Sequence, residues 1–186
     1  MKKILYFPLA AFLLASASST AFAAGGDSGG GPAEPVLSCK TGEVIKTVKI
    51  GGKKVKKCVK LESGILPDED LYQQGRVLAK AGQYDWALQV LAAIQNQNDP
   101  RVLNYTGYSN RKAGRLEIGI TYYRKALAID PNFVLAREYL GEGYVAAGRI
   151  DLAKLELNEI KTRAGTGSEE YQDLSKAITT GVIAAD

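Results

Sequence analysis

The chain has 186 residues, a formal net charge of +4, 46% apolar and 24% charged residues. Those fractions suit a globular protein and exclude a fully disordered or collagen-like one. It has no histidine and only two cysteines, which removes His-dependent nucleophile activation, imidazole metal ligation and a four-thiolate zinc site. No catalytic residue, cofactor or metal is expected. Lys2 and Lys3 precede an apolar run, Ile4 to Ala15, and mostly small residues follow, with Ala21-Phe22-Ala23 in the A-x-A form. Residues 1–23 therefore read as a secretory signal peptide cut near Ala23. The run falls short of the roughly 20 apolar residues that a membrane-crossing helix needs, and no later run is longer. No integral span is expected after cleavage. Residues 24–36 carry five glycines and two prolines, a composition that makes a flexible linker rather than a core.

Residues 37–62 form a separate unit. Two runs rich in valine, isoleucine and lysine, Glu43 to Ile50 and Lys53 to Lys60, flank Gly51-Gly52. Two β-prone runs around a Gly-Gly pair signal a hairpin, because both glycines accept the positive φ of a type I′ turn. Such a loop sets Ile50 opposite Lys53 and Val48 opposite Val55, with Val44, Lys46, Val48 and Ile50 on one face. A lone two-stranded hairpin is marginal in water. Cys39 precedes the first run and Cys58 lies inside the second, so an exported chain is expected to join them in a disulfide. The unit is strongly basic: Lys40, Lys46, Lys49, Lys53, Lys54, Lys56, Lys57 and Lys60 stand against Glu43 alone, while the rest of the chain from Leu61 is net acidic. Segregation of this kind produces a positive surface patch. One reading is attachment to an anionic envelope surface, such as a membrane or wall. The other is edge protection, since lysines on exposed strand edges discourage strand addition. Nucleic acid is not expected, because the unit has no aromatic residue on which a base stacks.

From about Pro67 the sequence repeats itself. Three segments, Leu71 to Ala87, Leu103 to Gly119 and Arg137 to Ala153, align on paired glycines: Gly75 with Gly82, Gly107 with Gly114, and Gly141 with Gly148. The gap within each pair is seven residues, and successive copies are offset by 32 and 34 residues. Glycine inside a helix costs about 1 kcal/mol relative to alanine, a cost consistent with close approach of a neighbouring helix at Gly75, Gly107 and Gly141. The second glycine of each pair suits a left-handed helix end. Apolar residues at helical spacing follow, Leu116, Ile120, Tyr123 and Leu127 in one copy and Ile150, Leu152, Leu155, Leu157 and Ile160 in the next. Asp130-Pro131 reads as the stop of one helix and the first turn of another. After Ser168, Tyr171, Leu174, Ile178 and Val182 form one stripe, and the segment 168–183 is expected to cap the array.

The period, the glycines and residues such as Tyr123, Ala126, Pro131, Tyr144 and Ala153 resemble the tetratricopeptide repeat (TPR) family. The resemblance covers about 100 residues, although the tryptophan typical of the first helix is replaced by Leu71, Leu103 and Arg137. It implies a mainly α fold: a three-repeat helical solenoid (67–99, 100–133, 134–167) with a C-terminal capping helix, behind the small hairpin. It also implies a concave groove lined by the first helix of each pair. Carried over, the groove residues are Tyr72, Arg76 and Lys80, then Asn104, Tyr108, Arg111 and Lys112, then Glu138 and Glu142. The expectation is a non-enzymatic protein-interaction scaffold of the cell envelope. It would bind an extended peptide or partner helix, with a basic end of the groove favouring carboxylates and an acidic end at Glu138 and Glu142. The plain alternative is that these are solvated helix faces. Location in a bacterial periplasm is expected, with secretion as the alternative.

Overall fold

The computed structural model describes residues 38–183, so the expected signal peptide (1–23) and linker (24–36) lie outside the described residues. Two strands come first, β1 (Glu43–Ile50) and β2 (Lys53–Lys60), followed by seven helices. These are α1 (Asp68–Lys80), α2 (Tyr84–Ala92), α3 (Pro100–Lys112), α4 (Leu116–Ile129), α5 (Val134–Ala146), α6 (Ile150–Ala164) and α7 (Glu169–Thr180).

The strands pair antiparallel, with Ile50 opposite Lys53, Val48 opposite Val55 and Val44 opposite Val59. Gly51 and Gly52 both take positive φ, 56° and 80°, as a two-residue turn of this hand requires. Cys39 and Cys58 are joined in a disulfide across a separation of 19 residues. The hairpin root is bonded to the helices. Val44 is 2% exposed and belongs to the main core. The side-chain amide of Gln74 on α1 accepts from the Ile45 N–H at 2.7 Å and donates to the Ile45 carbonyl at 3.0 Å. Trp86 Nε1 on α2 donates to the Glu43 carbonyl at 3.2 Å. At the root of β1 the outward backbone groups of Glu43 and Ile45 are thus bonded by side chains, Gln74 in the manner of a neighbouring strand.

The helices form three antiparallel pairs, α1–α2, α3–α4 and α5–α6, and each pair packs on the next. Gly82, Gly114 and Gly148 turn each pair with φ between 71° and 82°. At the mid-helix glycines the packing is tight. A Cβ on Gly75 would lie 2.7 Å from Leu91, and one on Gly107 would lie 2.8 Å from the Tyr123 ring. At Gly141 the pattern shifts, because the nearest atoms, 2.4 Å away, belong to Leu174 of α7. The last helix thus inserts its central leucine into a glycine notch, as Leu91 and Tyr123 do within the first two pairs, and packs on both α5 and α6. Ser168 caps α7, its side chain accepting from the Tyr171 N–H. Val182 lies past the helix end and is 66% exposed.

Two local expectations need correction. Pro131 is not in the first turn of α5, which starts at Val134. The Asp130 side chain accepts from the Asn132 N–H, and Arg137 donates twice to the Pro131 carbonyl, so these residues make a bonded turn outside either helix. Pro100 does open α3, behind the N-cap Asp99. In α6, Ile160 is fully buried but Leu152 and Leu155 are 41% and 63% exposed. The same two places in the second repeat, Ile118 and Thr121, are exposed as well, so this side of the second helix is an outer face.

Candidate functional site

The first helices α1, α3 and α5 bring Tyr72, Tyr105, Tyr108 and Tyr139 into a continuous row of buried aromatic rings, which Tyr123 of α4 joins from behind. Tyr72 meets Tyr105 edge-on at 5.9 Å between centroids. Tyr105 meets Tyr108 at 6.0 Å, Tyr108 meets Tyr139 at 5.3 Å, and Tyr139 meets Tyr123 at 6.0 Å. These separations lie in the range where ring quadrupoles attract. Tyr105 and Tyr139 were absent from the residues expected at the groove. Their signal was in the sequence, since both stand two residues before the mid-helix glycine of their copies.

Cations sit along this row. Lys80 Nζ donates to the Tyr139 hydroxyl at 2.8 Å and lies 4.9 Å from the Tyr108 ring centre. Lys112 Nζ lies 5.5 Å from the same ring, and the Arg111 guanidinium is 5.6 Å from that of Tyr139. The face of each ring is negative, so these placements are attractive. At the α1 end, Arg101 stacks 4.6 Å over Tyr72 while pairing with Asp99 at 2.7 Å and Glu69 at 3.0 Å. Sequence reasoning missed Arg101, because nothing in the repeat frame marks its position. Burial raises the Tyr72 hydroxyl above its ordinary pKa.

The charges are not segregated as expected. Arg111 on α3 and Glu142 on α5 form an ion pair at 2.7 Å with both side chains buried, and Arg111 Nε also donates to the Tyr123 hydroxyl at 3.2 Å. A basic end and an acidic end thus meet across the interface between repeats. Glu138 is buried on α5, one turn before Glu142. Asn104 is fully buried on α3, and among the described residues neither its amide nitrogen nor its oxygen has a hydrogen-bond partner. Arg76 is exposed on α1, one turn from Lys80, with no ion-pair partner among the described residues. Tyr72, Asn104, Tyr108, Arg111 and Glu142 are thus buried members of the row, and Arg76 and Lys80 its exposed cations.

Elsewhere, Cys39, Glu43 and Cys58 are the group of three potential metal ligands found among the described residues. Both sulfurs are bonded to each other, so no thiolate is present to hold an ion. An open cleft of about 830 Å³ lies between the hairpin and α1, lined by Ile45, Lys46, Lys56, Asp68, Gln73 and Gln74. Among the described residues, no helix is long and apolar enough to cross a membrane.

No protein-family model matches the chain, and no curated protein matches it. Solved structures do. The first TPR of Spaghetti (RPAP3), bound to an HSP90 peptide, superposes with a TM-score of 0.52 at 15% identity, covering 61% of this chain and 94% of that one. The Yersinia enterocolitica type III secretion chaperone SycD, in complex with a peptide of the translocator YopD, gives 0.53 at 20% identity, covering 64% and 93%. The Sgt2 TPR domain from Aspergillus fumigatus gives 0.53 at 17% identity, covering 68% and 93%. All three align over most of the neighbour and about two thirds of this chain. Together with the repeat of helix pairs and the glycine notches, they establish that the helices have a TPR-type fold, preceded by a disulfide-linked strand pair.

Proposed function

We propose that this protein is a non-enzymatic interaction scaffold that binds an extended peptide along the row formed by α1, α3 and α5, and that it works in the cell envelope. The observation that carries the reading is the tyrosine row with its cations. Five rings in contact, tilted against one another and largely buried, make a rigid aromatic layer under the groove, and Lys80, Lys112 and Arg76 stand beside it. Tyrosine gives a large contact area at low conformational cost, and charge-assisted bonds from lysine and arginine favour carboxylates. The unpartnered amide of Asn104 supports the same reading. An amide offers a donor and an acceptor side by side, which complements a peptide unit. Gln74 makes that pair of bonds to Ile45 within this molecule. Two structural neighbours were solved with peptides bound, which is further support. The envelope location rests on the leader-like residues 1–23.

The test is fluorescence anisotropy with labelled extended peptides carrying tyrosine-compatible apolar residues and either acidic or amide side chains. Acidic peptides should bind about tenfold or more tightly than their Asp→Asn, Glu→Gln counterparts, because each lost charge-assisted bond is worth roughly 1.5–3 kcal/mol. An Arg76→Ala, Lys112→Ala variant should lose that preference. Equal affinity for both peptide sets, unchanged in the variant, would refute the assignment.

A further inference from the structure

The hairpin carries two features that the groove does not use. The first is charge. Register places Lys46 opposite Lys57 and Lys49 opposite Lys54, and like charges facing across a strand pair are destabilising. Among the described residues no carboxylate pairs with Lys46, Lys49, Lys53, Lys54 or Lys57, whereas arginines of the helical body pair repeatedly. The second is an apolar tip. Val44, Lys46, Val48 and Ile50 share a face with Val59, Lys57, Val55 and Lys53. At the root this face enters the core through Val44, but at the tip Ile50 is 50% and Val55 38% exposed. The turn beyond them is Gly51-Gly52, around which nothing lies within 4 Å of an added Cβ. From Val44 to Ile50 the strand advances about 20 Å. The root does not yield, because Gln74, Trp86 and the Cys39–Cys58 bridge hold it.

We propose that the hairpin tip docks on an anionic phospholipid surface, with Val48, Ile50 and Val55 entering the boundary between headgroups and acyl chains and the surrounding lysines meeting lipid phosphates. Edge protection explains lysines on strand edges but not an apolar patch at the far end of the arm. An acidic protein or a polyanionic polymer explains the lysines but gains nothing from Ile50 and Val55. A wedge of apolar side chains ringed by lysine fits an interface in which both surroundings are present.

The experiment is vesicle sedimentation of the full chain against phosphatidylcholine vesicles with and without phosphatidylglycerol, across a salt series, with soluble polyglutamate as competitor. All variants share residues 1–37, so any contribution of that segment to binding is common to them. Wild-type protein should bind the anionic vesicles in excess over the neutral ones. A Lys49→Gln, Lys54→Gln variant should bind the anionic vesicles about 30-fold less tightly and with a shallower salt dependence. An Ile50→Ser, Val55→Ser variant should lose roughly tenfold with its salt dependence unchanged. These positions are exposed, and helical circular dichroism with an intact disulfide verifies that each variant is folded. The proposal is overturned if anionic and neutral vesicles bind equally, or if neither pair of substitutions matters. It is also overturned if the apolar variant binds like wild type while polyglutamate competes fully, the behaviour of a polyanion-binding arm.

Discussion

The contact between α3 and α4 makes a quantitative prediction about glycine. Gly107 and Gly119 face each other across this pair. A Cβ on Gly119 would lie 2.8 Å from the Gly107 carbonyl oxygen, 2.9 Å from Arg111 Cβ and 3.1 Å from the Arg111 backbone nitrogen. Two of those three atoms are backbone, so no rotamer change relieves the overlap and the helices must separate. Alanine gains about 1 kcal/mol in helix propensity. Overpacking of a close-packed contact costs about 1–3 kcal/mol, and here the backbone contact puts the cost at the upper end. Gly119→Ala should therefore lose about 1–2 kcal/mol net. At Gly75 the atoms within 3 Å belong only to the Leu91 side chain, with the Ala87 carbonyl at 3.7 Å, so Gly75→Ala should cost less as that leucine shifts. Urea midpoints at an unchanged slope, and melting temperatures displaced by about 2–4 °C per kcal/mol, read both variants. A Gly119→Ala protein as stable as wild type would show that the two helices do not meet backbone to backbone, and the reason given for the repeating glycines would fall with it.

Two further outcomes follow from local geometry. Replacing Cys39 and Cys58 by serine opens a loop with a separation of 19 residues, worth roughly 3 kcal/mol in the chain-entropy account. Amide exchange should accelerate in Lys46, Val48 and Ile50 while α3 and α4 keep their protection, and uniform acceleration across the chain would contradict the assignment of the bridge to the hairpin alone. Asp99 gives a pH dependence. Burial pushes its carboxyl up, but the Arg101 side chain and the Arg101 N–H together push it further down, below the ordinary 3.8. A lowered folded value means the stabilisation is fully present above the unfolded value and is lost as pH falls through the folded one. Asp99→Ala should cost about 1 kcal/mol at neutral pH through the lost N-cap. The gap from wild type should close as pH drops below 3.8, and a gap that stays constant in acid would exclude an ionised cap.

What could be read from the chain follows from the range of the interactions involved. The hairpin register was legible because Gly51-Gly52 fixes it locally, and the disulfide because the two available sulfurs lie on that hairpin. The helix pairs were legible because a glycine notch recurs at a fixed spacing and a left-handed glycine recurs seven residues later. The charge pattern of the groove was not. The repeat frame places Arg111 and Glu142 on inward faces but carries no information on which turns of adjacent helices meet, and that is what joins them at 2.7 Å. Gln74 reads as an ordinary polar residue of α1 until the strand lies beside it. Leu152 and Leu155 keep the apolar spacing of a packed stripe, yet stay exposed because they occupy the outer side of α6, as Ile118 and Thr121 do in α4.

The surface ion pairs show how a short array marks its own ends. Each copy has an acid three residues after its left-handed glycine: Asp85, Glu117 and Asp151. The second and third copies have an arginine directly after that glycine, and the first has Gln83 instead. Arg115 reaches back to Asp85 at 3.0 Å, and Arg149 reaches back to Glu117 at 2.7 Å. The arginine of one repeat therefore pairs with the acid of the repeat before it. The first copy has no earlier acid to reach and carries no arginine. The third has no later arginine, and Asp151 is left with Lys154 on its own helix at 3.9 Å. Exposed pairs of this kind contribute only about 0.2–1 kcal/mol each, too little to hold the stack together. They recur at each junction between repeats, so they favour the correct register over a shifted one by no more than that contribution. At the end of the array the same task passes from charge to shape: Leu174 fills the notch at Gly141, and the helix that carries it covers the face on which a fourth repeat would have stacked.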